Sequence, residues 1–429
     1  MLASTPKRFV RLVVLLLCSA SMYFYWRSVP QNIDAIAPGQ RPRALTDLYP
    51  RWYGARELLL HHRDPYNAAV TREIQLAYDG REQRFAYPLY AIFLVAPTIG
   101  MQFHSAQVVF LWFLAAVTGL SLALWLSVVR LRLSLPVRIT LFATVFLSIP
   151  VLQGLSLLQF GLLVAGLLAG ATAAIVSGQL FLAGTLLAVA TIKPPMCLLA
   201  LCWLALWASG NWRQRRSLPL GFASMLAILV LASEFLVPGW VLRYPGVLAS
   251  YAKHTAPITL AEVLLPHWLH WPVAIAALLV VTQFCWKVRR QPASSDSFLL
   301  ALAFALSLTV LIVPTALPPY NDVLLLPAIL LILRRWQDLW SLSPRLRIVI
   351  SLLIEIVILP WLLAMVVTFA SLMPTRPWLL KLALAPLYIS LELPFAVLGL
   401  LLLLARAFPS VPALAGVLPN SPASHTAGT

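Results

Sequence analysis

Six of the fourteen acidic residues lie in one polar stretch between Arg41 and Pro88: Asp47, Glu57, Asp64, Glu73, Asp79 and Glu82. Carboxylate chemistry is therefore best sought there. Asp47, in TDLYPRWYGA, is followed closely by Tyr49, Trp52 and Tyr53. A short carboxylate beside aromatic rings can hold sugar hydroxyls and take the proton of an acceptor hydroxyl. The same spacing suits a helix N-cap, because an aspartate precedes the helical run YPRWYGARELLL. Asp64-Pro65-Tyr66 reads as a turn, in which the carboxylate accepts local backbone hydrogen bonds and the proline fixes the chain. Tyr87-Pro88 reads as a second turn, leading into an apolar segment.

Farther along, isolated polar residues interrupt apolar runs. Lys193 precedes Pro194-Pro195. It can snorkel to a membrane interface or place an ammonium against a lipid phosphate. Gln159 lies in a polar turn, and His254, in SYAKHTAP, is a candidate base or phosphate contact. In the Tyr320-Asn321-Asp322 turn, Asp322 can pair with Lys193 or cap the following helix. The candidate substrate-binding set is thus Lys193, Gln159, Tyr53, Asp64, Tyr87, His254, Asn321 and Asp322, around Asp47 as the catalytic candidate. Cys18, Cys197, Cys202 and Cys285 all fall in apolar segments, and no CxxC, HExxH or Asp-x-Asp motif occurs. No metal or organic cofactor is expected.

These residues must be positioned by membrane helices. The 429 residues are 61% hydrophobic and 10% charged, with a mean hydropathy of +0.87. A soluble chain would carry roughly a quarter charged residues. Apolar runs of about 17–25 residues indicate an all-α polytopic membrane protein. The net charge of +17 does not indicate nucleic acid, because basic residues cluster at the ends of apolar segments. Lys7/Arg8/Arg11, Arg130/Arg132/Arg138, Arg213/Arg215/Arg216, Lys287/Arg289/Arg290, Arg334/Arg335 and Arg345/Arg347 fit cytoplasmic topology signals, with anionic membrane lipids as partners.

Threading the chain on this rule predicts about twelve spans with both termini cytoplasmic. Val10–Trp26 is an uncleaved first helix, followed by a large external loop over 27–104 that contains a short interfacial or re-entrant helix at Leu89–Pro97. Spans follow at Ala106–Val129, Val137–Val151, Leu162–Val176, Gln179–Ile192, Pro195–Ala208 and Leu218–Val237. A second external loop occupies 238–270. The remaining spans are Trp271–Trp286, Phe298–Val313, Val323–Leu333, Val349–Ala370 and Leu380–Leu404. Residues 1–407 are expected to form one integral-membrane domain, and 408–429, rich in Pro, Ala and Ser, a disordered cytoplasmic tail. The threading puts Asp47, Asp64, Gln159, Lys193, His254 and the Tyr320–Asp322 turn on one outer face.

The order of these features resembles glycosyltransferase family 87, polytopic enzymes of the GT-C type that include mycobacterial mannosyltransferases of phosphatidylinositol mannosides. The resembling pieces are Asp47 with Tyr53-Gly54-Ala55, then Asp64-Pro65-Tyr66, then Phe85-Ala86-Tyr87-Pro88 with Pro97. After them come the Gln159 turn, Gly178-Gln179 with Ala183-Gly184, Lys193-Pro194, and Tyr320-Asn321-Asp322-Val323-Leu324-Leu325-Leu326-Pro327. The resemblance covers most of the membrane region, roughly Val10 to Arg335, in the family's order. The resemblance implies inverting, metal-independent transfer of mannose or a similar sugar from a polyprenyl-phosphate donor to a lipid or glycan acceptor. It places this chemistry on the non-cytoplasmic face of a bacterial-type inner membrane. It maps the general base onto Asp47 and a donor-phosphate contact onto Lys193. Two departures stand out. Tyr87-Pro88-Leu89 replaces a frequent Tyr-Pro-Pro, and Tyr320-Asn321-Asp322 lacks a histidine common near that turn. The competing reading is a transporter or flippase for a lipid-linked sugar, which should show internal repeats and charges within its spans.

Overall fold

A computed structural model describes residues 5–36, 45–78, 82–255, 257–314, 319–370 and 384–407. The tail from residue 408 and Asp79 lie outside the described residues. The described secondary structure is helical, as the apolar run lengths predict. Helix α1 (Thr5–Ile36) continues ten residues past the expected end of the first span. The polar stretch folds into α2 (Tyr49–His61) and α3 (Ala68–Ala77), followed by short helical turns over Leu89–Thr98.

The next helices are α4 (Phe103–Val128), α5 (Leu135–Phe146), α6 (Ile149–Ser156), α7 (Phe160–Val176), α8 (Leu180–Ala190) and α9 (Pro194–Gly210). They are followed by α10 (Ser217–Leu236), α11 (Trp240–Thr255), α12 (His270–Val288), α13 (Asp296–Ile312) and α14 (Leu326–Arg334). The last are α15 (Pro344–Ala370), α16 (Ala385–Ser390) and α17 (Leu393–Ala407). The second external loop of the sequence reading is thus largely helical, holding α11 and a short helix, Leu260–Leu264, capped by Thr259 and Glu262.

Among the described residues, five helical segments are long and apolar enough to cross a membrane, or six if the bent pair α5–α6 is one span. The expected twelve is not reached by length, because several anticipated spans form helices of 10–17 residues. The bend between α5 and α6 is 55°. Short and broken helices at membrane depth are tolerated where neighbouring protein satisfies the freed backbone groups. Helix α7 fits that condition: most of its residues are buried against other helices.

Glycine governs the tightest crossing. A Cβ on Gly184 of α8 would stand 2.1 Å from the Leu218 carbonyl oxygen, and one on Gly221 of α10 would stand 2.1 Å from the Phe181 oxygen. Each glycine is therefore the point at which the facing backbone makes its closest approach. Where hydrophobic burial gives little drive between helices, such small-residue contacts govern packing.

Three of the basic clusters meet at one end of the bundle. Arg215 donates to the carbonyls of Trp207 (2.6 Å), Arg289 (2.8 Å) and Gln291 (2.9 Å), fastening the end of α9 to the end of α12. Arg334 and Arg335 both pair with Asp296 at the start of α13. Lys193 lies at the opposite end of α9, a helix of 17 residues and hence about 25 Å long. The helices therefore separate a basic end from an end that carries the isolated polar residues.

Candidate active site

The first turn of α2 supplies two groups. The helix begins at Tyr49 with Leu48 as its N-cap, and no side chain caps it. The cap reading of Asp47 is thereby corrected: the helix starts one residue too late for its carboxylate to take that role. Asp47 Oδ2 instead accepts from Gln159 Nε2, the residue preceding α7. One turn on, Arg51 reaches back and donates to the Asp47 carbonyl. Its other terminal nitrogen donates to the Tyr87 hydroxyl at 2.7 Å. The Arg51 guanidinium also lies 4.2 Å from the Tyr87 ring centroid and 5.1 Å from that of Phe160. A cation near two aromatic rings is attracted by the quadrupole of each.

Two contacts hold this first turn in place, and a third fixes Tyr87 beside it. Trp52 Nε1 donates to the Thr98 carbonyl at 3.0 Å, and Tyr66 donates to the Tyr87 carbonyl at 2.7 Å. Tyr49 packs edge-on against Phe103, the first residue of α4, at 5.0 Å between ring centroids. Gly54 sets the spacing on the other side of α2, where a Cβ would meet the Phe85 ring at 2.8 Å and Pro65 at 3.1 Å. The motif pieces Tyr53-Gly54-Ala55, Asp64-Pro65-Tyr66 and Phe85-Ala86-Tyr87-Pro88 thus converge in one packing unit.

The opposite wall comes from three elements. Lys193, on the turn between α8 and α9, donates to Asn321 Oδ1 at 3.3 Å, and its ammonium lies 4.3 Å from the centroid of the Tyr320 ring. The Tyr320 backbone N–H is held by Gln153 Oε1 of α6 at 2.9 Å. Gly161 leaves the room these groups occupy: its Cβ would stand 3.4 Å from Lys193 Nζ, 3.4 Å from the Tyr320 ring and 3.2 Å from Met196 Sδ. Burial, and then the neighbouring Arg51 charge, push the Lys193 ammonium down to about 7, against the opposing pull of Asp47. Two cations thus face one carboxylate in a desolvated site, an imbalance that an incoming anion corrects.

The other expected site residues are used elsewhere. Asp64 forms the anticipated turn, accepting from the Tyr66 N–H at 2.9 Å, and it pairs with Arg243 of α11 at 2.6 Å. Tyr53 donates to Glu73 at 2.7 Å and stacks on Tyr49. Glu73 also pairs with Arg63, which joins it to Glu57. Asp322 neither pairs with Lys193 nor caps α14, whose N-cap is Leu325. It faces an apolar cavity instead. The side chain of His254 lies outside the described residues.

Arg51, Gln153 and Tyr251 were not singled out in the sequence, and Tyr320 was named only as part of its turn. Tyr251, on α11, lies within electrostatic reach of Asp47, Arg51 and Arg84.

The geometry offers a partly accessible carboxylate fixed by a neutral amide, with two cations and several tyrosines around it. Such a site can remove a hydroxyl proton at the carboxylate and stabilise a phosphate anion at the cations. The family description glycosyltransferase family 87 matches residues 85–314, just over half of the chain. No curated protein and no solved structure matches the chain.

Proposed function

The chain belongs to glycosyltransferase family 87, and we propose that it transfers a sugar such as mannose from a polyprenyl-phosphate carrier, with Asp47 as the general base. Membership sets aside the transporter reading and makes the protein a membrane glycosyltransferase. The single observation carrying the finer reading is that Lys193 and Arg51 lie within electrostatic reach of Asp47, among Tyr87, Tyr320 and Asn321. A nucleophile-activating carboxylate and a phosphate-binding pair are the two chemical functions this donor class requires.

In this reading the donor phosphate sits between Lys193 and Arg51. Gln159 holds one carboxylate oxygen of Asp47, and the other oxygen accepts the proton of the acceptor hydroxyl. The acceptor oxygen attacks the anomeric carbon from the side opposite the phosphate. The carbon–oxygen bond to the phosphate breaks as the new glycosidic bond forms, and its electron pair leaves on the phosphate. Configuration at the anomeric carbon inverts. Lys193 and Arg51 stabilise charge gathering on the leaving phosphate in a low-dielectric site, where fixed charges act most strongly. The acceptor is a lipid or glycan hydroxyl, and the site faces the non-cytoplasmic side, opposite the arginine-rich helix ends.

The test is a panel of polyprenyl-phosphate sugars incubated with the purified protein. Consumption of one member, with accumulation of polyprenyl phosphate and loss of binding in Lys193→Met, is the expected result. A protein that binds and consumes no member would overturn the donor assignment while leaving the family unaffected.

A further inference from the structure

The far end of α4 carries a second anion-binding arrangement, apart from the site at Asp47. Three arginines, Arg130, Arg132 and Arg138, line a pocket of ≈ 520 Å³ together with Ser127 and the end of α4. All three are exposed, and none forms an ion pair with an acid among the described residues. Arg130 has φ 56°, in the left-handed region, so the chain turns sharply there on leaving the helix. This turn gathers the arginines around one opening.

Directly behind that opening lies a cavity of ≈ 580 Å³ that shares Leu131 and Leu133 with the arginine pocket. It runs between α1, α5, α14 and α15, past Leu141 and Val145, to Asp322. Its lining is mostly aliphatic. A cationic mouth continuous with a hydrocarbon-lined interior has the form of an amphiphile carrying a phosphate and a long chain. We propose that this is a structural binding site for an anionic glycerophospholipid of the surrounding bilayer, its phosphodiester at Arg130, Arg132 and Arg138 and one acyl chain in the cavity.

The position excludes the sugar donor as occupant of the mouth. Phe103 at the start of α4 packs on Tyr49 and Trp52 beside Asp47, whereas Arg130 follows its other end. The helix has 26 residues, placing the two ends about 39 Å apart. A donor phosphate held at Lys193 cannot also reach Arg130. Charge complementarity identifies the occupant further, because three unpaired guanidiniums favour an anionic headgroup over a zwitterionic one.

The test uses purified full-length protein in an uncharged detergent. It is titrated with phosphatidylglycerol or with phosphatidylcholine of the same acyl chains, and retained lipid is read by native mass spectrometry. The wild type is expected to retain one phosphatidylglycerol at a concentration about 10-fold or more below that needed for phosphatidylcholine. R130Q/R132Q/R138Q is expected to lose that preference; its changes are at exposed positions and leave the core intact. Leu141→Trp, which fills the cavity with the arginines untouched, is expected to weaken phosphatidylglycerol retention, with Val145→Phe as a smaller obstruction. Equal retention of the two lipids by the wild type would overturn the proposal, as would undiminished preference in the triple arginine variant. It is also overturned if both cavity variants keep phosphatidylglycerol but lose a polyprenyl-phosphate sugar, since the cavity would then hold the donor's tail.

Discussion

Gln159 donates from its amide nitrogen to Oδ2 of Asp47, joining residues 112 positions apart in the chain. Gln159 is itself buried, at 2% exposure, so the bond anchors a partly accessible carboxylate to the interior of the helical bundle. The neutral amide thereby fixes the orientation of the carboxylate.

Removing that anchor should slow chemistry more than binding. Gln159→Leu leaves Asp47 in place but free to rotate, so kcat is expected to fall about 10- to 100-fold with a small change in donor KM, within the range a general base contributes. Gln159→Glu brings a second negative charge against Asp47 and is expected to be at least as damaging. Steady-state kinetics on the folded variants, with a KM-against-kcat split, check both.

Donor binding should depend on pH through Lys193. Its ammonium is pushed down to about 7, so the free enzyme carries the phosphate-binding charge below that pH and loses it above. Donor affinity is therefore expected to be highest on the acidic side and to fall as pH rises through about 7. Lys193→Met should bind weakly at every pH and lose the transition. Folding linkage runs in the opposite direction. The unfolded lysine holds its proton up to its ordinary value, so the folded state gains stability as pH rises above about 7. Lys193→Met is expected to have the higher Tm at neutral pH, measured by thermal unfolding, despite its loss of binding.

The α8–α10 crossing should not tolerate side chains. Gly221→Leu or Gly184→Val forces backbones apart where a Cβ would stand only 2.1 Å from a carbonyl oxygen. A loss of about 3 kcal/mol or more is expected, read as reduced folded yield and lower Tm. Gly246 is the control, since a Cβ there meets nothing within 4 Å and the position lies in α11. Gly246→Ala should be neutral or slightly stabilising.

The Arg63–Glu57–Glu73 network should matter for holding α2 and α3 together and not for the reaction. Arg63 lowers the Glu73 carboxyl below its ordinary range, through its hydrogen bonds first, with the Tyr53 hydroxyl second. That contribution is present above the ordinary carboxylate range and is lost as pH falls through the lowered value. Arg63→Met is expected to lower Tm modestly at neutral pH and less in acid, with KM for the donor unchanged. Scans at two pH values check it.

The membrane class and the outlines of the longer helices were legible because they rest on local composition and run length. Helix α4 lies within three residues of its expected bounds at each end. The helix count was less legible, because charge clusters fix the sense of a crossing but not whether two short helices make one. Within the site, Lys193 and Gln159 stood out as polar residues in apolar surroundings. Arg51 did not, since arginines near membrane boundaries are common, and its importance lies in contacts with Tyr87 and Phe160 that no local pattern encodes. The exchange of Asn321 for Asp322 as the partner of Lys193 has the same origin: side chains of adjacent residues in a 3₁₀ turn point to different neighbours. The cap reading of Asp47 failed by one residue of helix register, which propensity does not resolve.

In the proposed mechanism Asp47 is the base for sugar transfer from a polyprenyl-phosphate donor. The most direct measurement compares single-turnover transfer by the wild type and Asp47→Asn, using the consumed member of the donor panel, with donor binding and Tm measured on the same preparations. Asp47→Asn is expected to fold and bind donor like the wild type while transferring about 10²–10⁴-fold more slowly. Transfer at the wild-type rate by folded Asp47→Asn would contradict the account.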